Sequence, residues 1–295
     1  MTAKVAGHHT DLTELPLTPE DRAAIQPVAD RLRRLVAAST TNLVHDATYK
    51  PRDDSRIGRA KKSGFTDAYD QSGQRLVSAE DHFRTVLNLL IGPAPLPSFS
   101  MFTLIRGGAV ATVHARYLLD PAIDETIRLG RGLSARLENL KQQHKVVSEL
   151  DPSENPPQPF LTWDDWLADR VANLENRAKR NGVAVGRKKG TGPIKGFPDP
   201  WPYDTDLFEK YMPGIGKTYF KSLSGYTHSM PWTTITMQRA ETSDEPGIAL
   251  VPTDVNVTTL AVMLDSALEI YDETVGFFFS HGGYPAMVWA EAKKH

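Results

Sequence analysis

The stretch SFSMFTLIRGGAVATVHARYLL, residues 98–119, decides the fold class of this chain. Its large apolar side chains recur three or four residues apart on either side of Arg106, at Phe99, Phe102, Val110, Val113 and Tyr117. Residues with this spacing lie on one face of an α-helix, whereas a half-buried strand alternates every second residue. The stretch therefore predicts one long helix, which ends at Asp120-Pro121 because the residue before a proline rarely stays helical.

The same periodicity extends in both directions along the chain. It predicts further helices that begin near Thr18, Ser78, Pro121, Thr162, Gly216 and Thr253. A polar stretch with glycines predicts a loop over residues 50–72, and a Pro- and Gly-rich stretch predicts an irregular excursion over 151–215. No run alternates long enough to form a sheet. The sequence therefore predicts an all-α, multi-helix bundle of about six to eight helices.

Length and composition are those of an ordinary globular chain. The 295 residues carry 34 Lys and Arg against 36 Asp and Glu, which excludes a generally basic nucleic-acid coat protein. We expect a loose leader over 1–17 and a single helical domain over 18–295. The first residues lack an apolar signal core, and no run approaches the ~18 apolar residues of a membrane helix, so a cytoplasmic location away from membranes is expected.

The residue types present exclude several kinds of chemistry. The chain has no Cys, so it has no disulfide, no thiolate zinc site and no cysteine nucleophile. Its nine histidines show no His-Glu-x-x-His spacing, and no Gly-x-Ser-x-Gly elbow is present. The sequence therefore predicts no intrinsic metal and no cofactor.

The segment PGIGKT, residues 213–218, is similar to the end of a phosphate-binding loop. That loop needs a glycine five residues before its Gly-Lys pair, and Tyr211 occupies this position. No strand leads into the segment either. A turn before a helix is the better prediction.

A polar stripe follows on that helix. Lys217, Lys221, Ser224 and His228 are spaced four, three and four residues apart, which places them within a stripe of roughly 60°. Such a stripe suits an anionic substrate, because His moves a proton near neutral pH while Lys217 and Lys221 hold a phosphate. The alternative is that His228 caps the helix C-terminus, where a cation is favoured, and that the lysines are solvated.

Arg106 interrupts the apolar stripe of its helix. A buried guanidinium costs several kcal/mol unless it is paired, so Arg106 should meet a carboxylate or an anionic ligand. Three carboxylates on neighbouring predicted helices are candidate partners: Glu138, Glu175 and Asp265. A buried ion pair that fixes helix register is the alternative. Arg128 and Arg131, one turn apart on the next helix, face either the same pocket or water.

Two stretches are strongly basic. Residues 177–195 contain seven cations and no acid, and residues 50–62 contain six cations against two acids. Flexible basic loops neutralise phosphates without reading sequence, which would suit RNA or another anionic partner. Solvated loops without a partner are the alternative.

Two parts of the chain carry distinctive motifs. The first is LIR at 104–106, followed ten residues later by RYLLDP at 116–121. The second is YFKSLSGYTH at 219–228, followed by MPW at 230–232. Together they resemble a family of uncharacterised bacterial helical proteins. The similarity spans roughly residues 75–280. It implies a helical fold and no particular activity.

The second segment is also similar to the late helix of HEPN-type domains, which are helical bundles, often dimeric, found in defence and toxin–antitoxin ribonucleases. This resemblance implies a metal-independent reaction in which His228 assists attack of the RNA 2′-hydroxyl on the adjacent phosphate. Lys221 occupies the place of the motif's arginine, and Val110 that of a common glutamate. The resemblance also implies a homodimer.

Three functional hypotheses follow. The first is a binding or regulatory bundle that acts through an anionic partner. The second is a HEPN-like endoribonuclease in which His228 is the general acid or base, Lys221 and Arg106 bind phosphate, and Ser224 orients the imidazole or substrate. The third is a small anionic ligand or nucleotide bound between helices, with Arg106, Arg128 and Arg131 as a clamp.

Overall fold

A computed structural model describes residues 12, 15, 17–39, 50–92, 94, 96–149, 160, 162–187, 194–197, 200–228, 230, 241–242, 249–250, 256–284 and 286–294, with gaps between these ranges. Within them the chain forms ten helices and two very short strand pairs. The predicted all-α, multi-helix fold is confirmed. The helices are more numerous than predicted because three of them are only seven or eight residues long.

The helices are α1 (Pro19–Ser39), α2 (Arg56–Ser63), α3 (Asp67–Ile91), α4 (Ser100–Leu119), α5 (Glu125–Ser148), α6 (Trp163–Arg180), α7 (Asp204–Tyr211), α8 (Gly216–Thr227), α9 (Val257–His281) and α10 (Ala286–Ala292). The antiparallel strand pairs are β1 (Gly186–Arg187) with β2 (Ile194–Gly196), and β3 (Glu241–Thr242) with β4 (Ala249–Leu250). Strands of two or three residues are too short to show an alternating pattern in the sequence.

Helix α4 lies at the centre of the bundle. It packs against α3 and α9, and against α7 and α8 on a further side, while α1 covers α9. Gly108 permits the close approach of α3, because a Cβ there would lie 2.7 Å from the ring of Phe83. That ring meets Tyr271 of α9 edge-on, with centroids 5.2 Å apart. None of the described helices combines the length and apolar character needed to cross a membrane.

The predicted loop over residues 50–72 was wrong for most of its length, since it contains α2 and the first turns of α3. The Ser55 hydroxyl accepts a hydrogen bond from the Gly58 amide at 2.9 Å and caps α2. Gly64, with φ +75°, ends the helix in the left-handed conformation that glycine adopts without strain. Of its eight residues only Ile57 and Gly58 are buried, which is too few to show apolar periodicity.

The described residues of the Pro- and Gly-rich excursion include α6, β1, β2 and α7. Residues of α5, α6 and this excursion form a second apolar cluster: Leu133, Leu137, Leu140, Leu174, Ala178, Val183 and Phe197. Residues 1–11 of the predicted leader lie outside the described residues, whereas Leu12 and Leu15 are buried in the main core.

Candidate functional site

A cleft of about 750 Å³ lies between α3, α5 and the segment that leads into α7. This volume falls within the range of roughly 300–1,000 Å³ that is usual for small-molecule sites. Amide side chains from α3 and α5 line it, namely Gln71, Gln74, Asn139 and Gln142. Aromatic rings and guanidinium groups complete the walls, namely Trp201, Tyr203, Phe220, Arg75 and Arg136.

The segment at the mouth of the cleft is held by the start of α7. Tyr203 is the N-cap residue of α7, and Asp204 is in its first turn, where a carboxylate is favoured by the helix dipole. Asp204 accepts a hydrogen bond from Nε2 of His114 on α4, at 2.7 Å. The His114 ring also stacks on Trp201, with centroids 4.7 Å apart and planes at 9°. His114 therefore ties the segment to the central helix.

The protonation of this pair follows from its surroundings. Burial lowers the pKa of His114, and the nearby Arg75 acts in the same direction, although the hydrogen bond to Asp204 opposes them. The hydrogen bond from His114 lowers the pKa of Asp204, against the effect of burial. At neutral pH the imidazole is therefore neutral with its proton on Nε2, because an ionised carboxylate only accepts.

His114 positions the site rather than facing a ligand. It is buried and does not line the cleft, whereas Asp204 and Trp201 do. Its Nδ1 is buried and has no hydrogen-bond partner among the described residues. His114 therefore holds the ionised carboxylate of Asp204 and the indole ring of Trp201 at the wall of the cleft.

Arg75 of α3 is the least satisfied charged group of the cleft. Its Cζ lies 4.8 Å from the centroid of the Trp201 ring, which is cation–π geometry. Its Nε is buried without a hydrogen-bond partner in the described part of the chain, and burial lowers its pKa while the charge of Asp204 opposes this. A desolvated guanidinium of this kind is best satisfied by an anion.

The structure brings together two of the residues predicted from the sequence. Arg106 Nε donates a hydrogen bond to Ser224 Oγ of α8 at 3.2 Å. The guanidinium also lies over the ring of Phe220, with its Cζ 5.2 Å from the centroid. Since Phe220 lines the cleft, Arg106 and Ser224 lie directly behind one wall of it.

The three carboxylates predicted as partners of Arg106 have other partners. Asp265 accepts from Arg31 at 2.8 Å, and Glu138 accepts from Gln142 at 2.6 Å. Glu175 lies 3.8 Å from Lys179, one helical turn away. The carboxylate that Arg106 influences is instead Asp204, whose pKa its charge helps to lower. The prediction of these three partners was therefore wrong, because the carboxylate that Arg106 influences belongs to α7, a helix that the sequence pattern did not predict.

The rest of the predicted stripe on α8 is at the surface. Lys217, Lys221 and His228 are exposed, and none of them lines the cleft. His228 is the C-cap residue of α8, and its backbone N–H donates to the Ser224 carbonyl at 3.0 Å. The capping alternative for His228 agrees with this geometry.

Arg128 and Arg131 lie at the opposite end of α4 from Arg106. Arg128 donates to the carbonyls of Leu118 at 2.6 Å and Asp120 at 3.0 Å, and Arg131 donates to that of Tyr117 at 2.8 Å. The last carbonyls of a helix have no intrahelical donor, which makes its C-terminus a binding place for cations. Tyr117 is about 17 Å along the helix from Arg106. The predicted clamp of three arginines is therefore not formed.

Gly216 of the PGIGKT segment serves packing, whereas Gly214, with φ +86°, serves the turn. Gly216 is the first residue of α8, and its N–H donates to the Met212 carbonyl at 2.7 Å. A Cβ at Gly216 would overlap the backbone carbonyl of Phe208 at the end of α7. The predicted turn before a helix is confirmed, and glycine is required there by the close approach of two helices.

Sequence reasoning missed Arg75, His114, Trp201 and Asp204. They belong to α3, α4 and the start of α7, so they share no periodic spacing in the sequence that could have predicted them as one site. The one local signal was Asp204, an acid at a helix start directly after an aromatic Trp-Pro-Tyr run.

No family model matches the sequence, and no match is found among curated proteins or solved structures. Among the described residues, no group of three or more His, Asp or Glu side chains is arranged to hold a metal ion. Function is therefore inferred from the geometry of the cleft.

Proposed function

We propose that this protein is a binding module for a small anionic organic molecule, which it holds in the cleft between α3, α5 and the start of α7. Arg75 is the observation that carries this proposal. Its guanidinium lines the cleft with a buried, unbonded Nε, and no carboxylate of the described residues forms an ion pair with it. A ligand carboxylate or phosphate would supply the acceptor that the protein itself does not.

The other groups of the cleft indicate what the rest of the ligand is like. Its two acids are already engaged, since Glu138 accepts from Gln142 and Asp204 from His114. Tyr203 offers an exposed aromatic ring, and the amides of Gln74 and Asn139 suit hydrogen bonding to a heterocycle. An anionic molecule with a planar ring, of the size of a nucleoside monophosphate, matches these features. As expected from the sequence, we also propose that the protein is cytoplasmic and forms a homodimer.

Calorimetric titration with adenosine monophosphate tests the proposal. Arg75→Met is expected to weaken binding at least about tenfold, because it removes one charge-assisted hydrogen-bond donor from a desolvated site. Arg180→Met removes an exposed charge outside the cleft and should leave the affinity within about twofold of the wild type. Equal affinity of the wild type and Arg75→Met, or no binding to the wild type, would contradict the proposal.

A metal-independent ribonuclease is our second proposal. What supports it is the hydrogen bond between Arg106 and Ser224, which places a guanidinium beside the polar stripe of α8. In this proposal the exposed His228 is the general acid or base, and Lys221 binds phosphate.

His228→Ala is then expected to abolish cleavage of a fluorogenic RNA while leaving the midpoint of urea unfolding unchanged, because the side chain is exposed. Lys221→Arg, which restores the residue type of the HEPN motif, should retain cleavage. RNA cleavage by His228→Ala at the wild-type rate would rule this reaction out.

A further inference from the structure

A second and separate pocket lies beside α2. It has a volume of about 350 Å³ and is bounded by α2, the start of α3 and the start of α5. Among the described residues, three guanidinium groups line it, those of Arg56, Arg59 and Arg128, against the one carboxylate of Glu125. It shares no lining residue with the cleft described above. The pocket therefore concentrates positive charge in a chain whose overall charge is close to zero.

Two of these guanidinium groups have unsatisfied donors inside the pocket wall. Arg56 Nη1 and Arg128 Nε are buried and have no hydrogen-bond partner among the described residues. Glu125 Oε1 lies 3.7 Å from Arg56 Nε and 3.5 Å from Arg128 Nε, too far for a good hydrogen bond to either. The same carboxylate accepts from the Tyr69 hydroxyl at 3.0 Å. One shared carboxylate thus leaves two arginines incompletely paired.

The tertiary structure brings part of each basic stretch of the sequence to this place. Arg56 and Arg59 belong to the stretch 50–62, and Asn181, which also lines the pocket, belongs to 177–195. Arg177 connects the two, because its guanidinium donates to Asp67 at 3.1 Å and to the Gly64 carbonyl at 3.2 Å. The end of α6 therefore packs against the junction of α2 and α3 and closes one side of the pocket.

We propose that this pocket binds a phosphate group, either as inorganic phosphate or as a terminal phosphomonoester. A phosphate offers several acceptor oxygens at once, which suits guanidinium groups that converge from two helices. The Thr126 hydroxyl adds a neutral donor to the same wall, as does the second amide N–H of Asn181, whose first N–H donates to the Arg177 carbonyl at 2.6 Å. The small volume favours a compact headgroup over an extended chain. This site is additional to the ligand cleft and does not depend on it.

Calorimetric titrations with sodium phosphate and with phosphoserine, at low ionic strength, test the site. Arg56→Met is expected to weaken both at least about tenfold. Lys61→Met is the matched control, because it removes a charge from the same helix at an exposed position that does not line the pocket, and it should change either affinity less than about twofold. Binding of both probes supports a site for free phosphate, and binding of phosphoserine alone supports one for esters.

Glu125→Gln distinguishes a ligand site from a purely structural cluster. This change removes the competing carboxylate and keeps an acceptor for Tyr69, so it should tighten phosphate binding about fivefold. A structural role for Arg56 predicts no such gain. The proposal is overturned if neither probe binds the wild type, or if Arg56→Met binds as the wild type does. It is also overturned if only a single-stranded RNA binds in an Arg56-dependent way, which would indicate a nucleic-acid surface.

Discussion

Arg128→Met is expected to lower the free energy of unfolding by about 3 kcal/mol or more. The Arg128 side chain is only 1% exposed, and its guanidinium donates to the carbonyls of Leu118, Asp120 and Ile123 around the end of α4. Methionine fills much of the same volume but removes the guanidinium donor from all three carbonyls, of which that of Asp120 keeps only the Ile123 N–H at 3.4 Å. Urea unfolding, followed by circular dichroism, measures the loss.

Arg136→Met provides the control for this experiment. It removes the same charge from the same helix, two turns further along, at an exposed position. Its effect on the free energy of unfolding should stay within about 0.5 kcal/mol. If Arg128→Met unfolds at the same urea concentration as the wild type, the Arg128 guanidinium does not stabilise the end of α4.

Acid is expected to begin to destabilise the protein at a pH above the range in which carboxylates titrate, because of His281. Burial, aided by the positive charges of Arg128 and Arg56, lowers the pKa of His281 from 6.5 to about 4. The native state therefore favours the neutral ring, whose Nε2 donates to the Leu119 carbonyl at 2.9 Å. The stabilisation is complete above pH 6.5 and is lost as the pH falls towards 4, by about 3 kcal/mol in total.

Comparison with His281→Gln isolates this contribution. Glutamine retains an N–H donor towards Leu119 but does not titrate, so its free energy of unfolding should fall less between pH 7 and 4 than that of the wild type. Burial also lowers the pKa of His114, but this contribution is common to both proteins and cancels in the difference. Parallel pH profiles for the two proteins would show that His281 is not the group responsible.

Helix positions were largely readable from the sequence. Apolar spacing and caps are local properties, so the predicted helices at Thr18, Ser98 and Thr162 match α1, α4 and α6 closely. Prediction failed where a helix was too short to show periodicity, as in α2. It failed also at the start of α3, where Asp67 and Tyr69 are buried by partners that are distant in sequence.

The candidate sites were readable only in part. Spacing on one helix correctly placed Lys217, Lys221 and Ser224 along α8 but could not tell which of them face solvent. The basic stretches were visible as composition. The contact that brings the start of the second stretch to the pocket is between Arg177 and Asp67, which lies 110 residues earlier in the chain.

By itself, the sequence determined the helical class, most helix ends and the glycine turn before α8, because each of these depends on residues within a few positions of one another. Only the tertiary structure decided which charged groups are buried, paired or left without partners. Arg128 stabilises the end of α4 because α5 packs there. Arg75 is the candidate ligand-binding group because the segment before α7 places Trp201 against it. Burial and electrostatics depend on every element packed around a group, so local pattern does not reveal them.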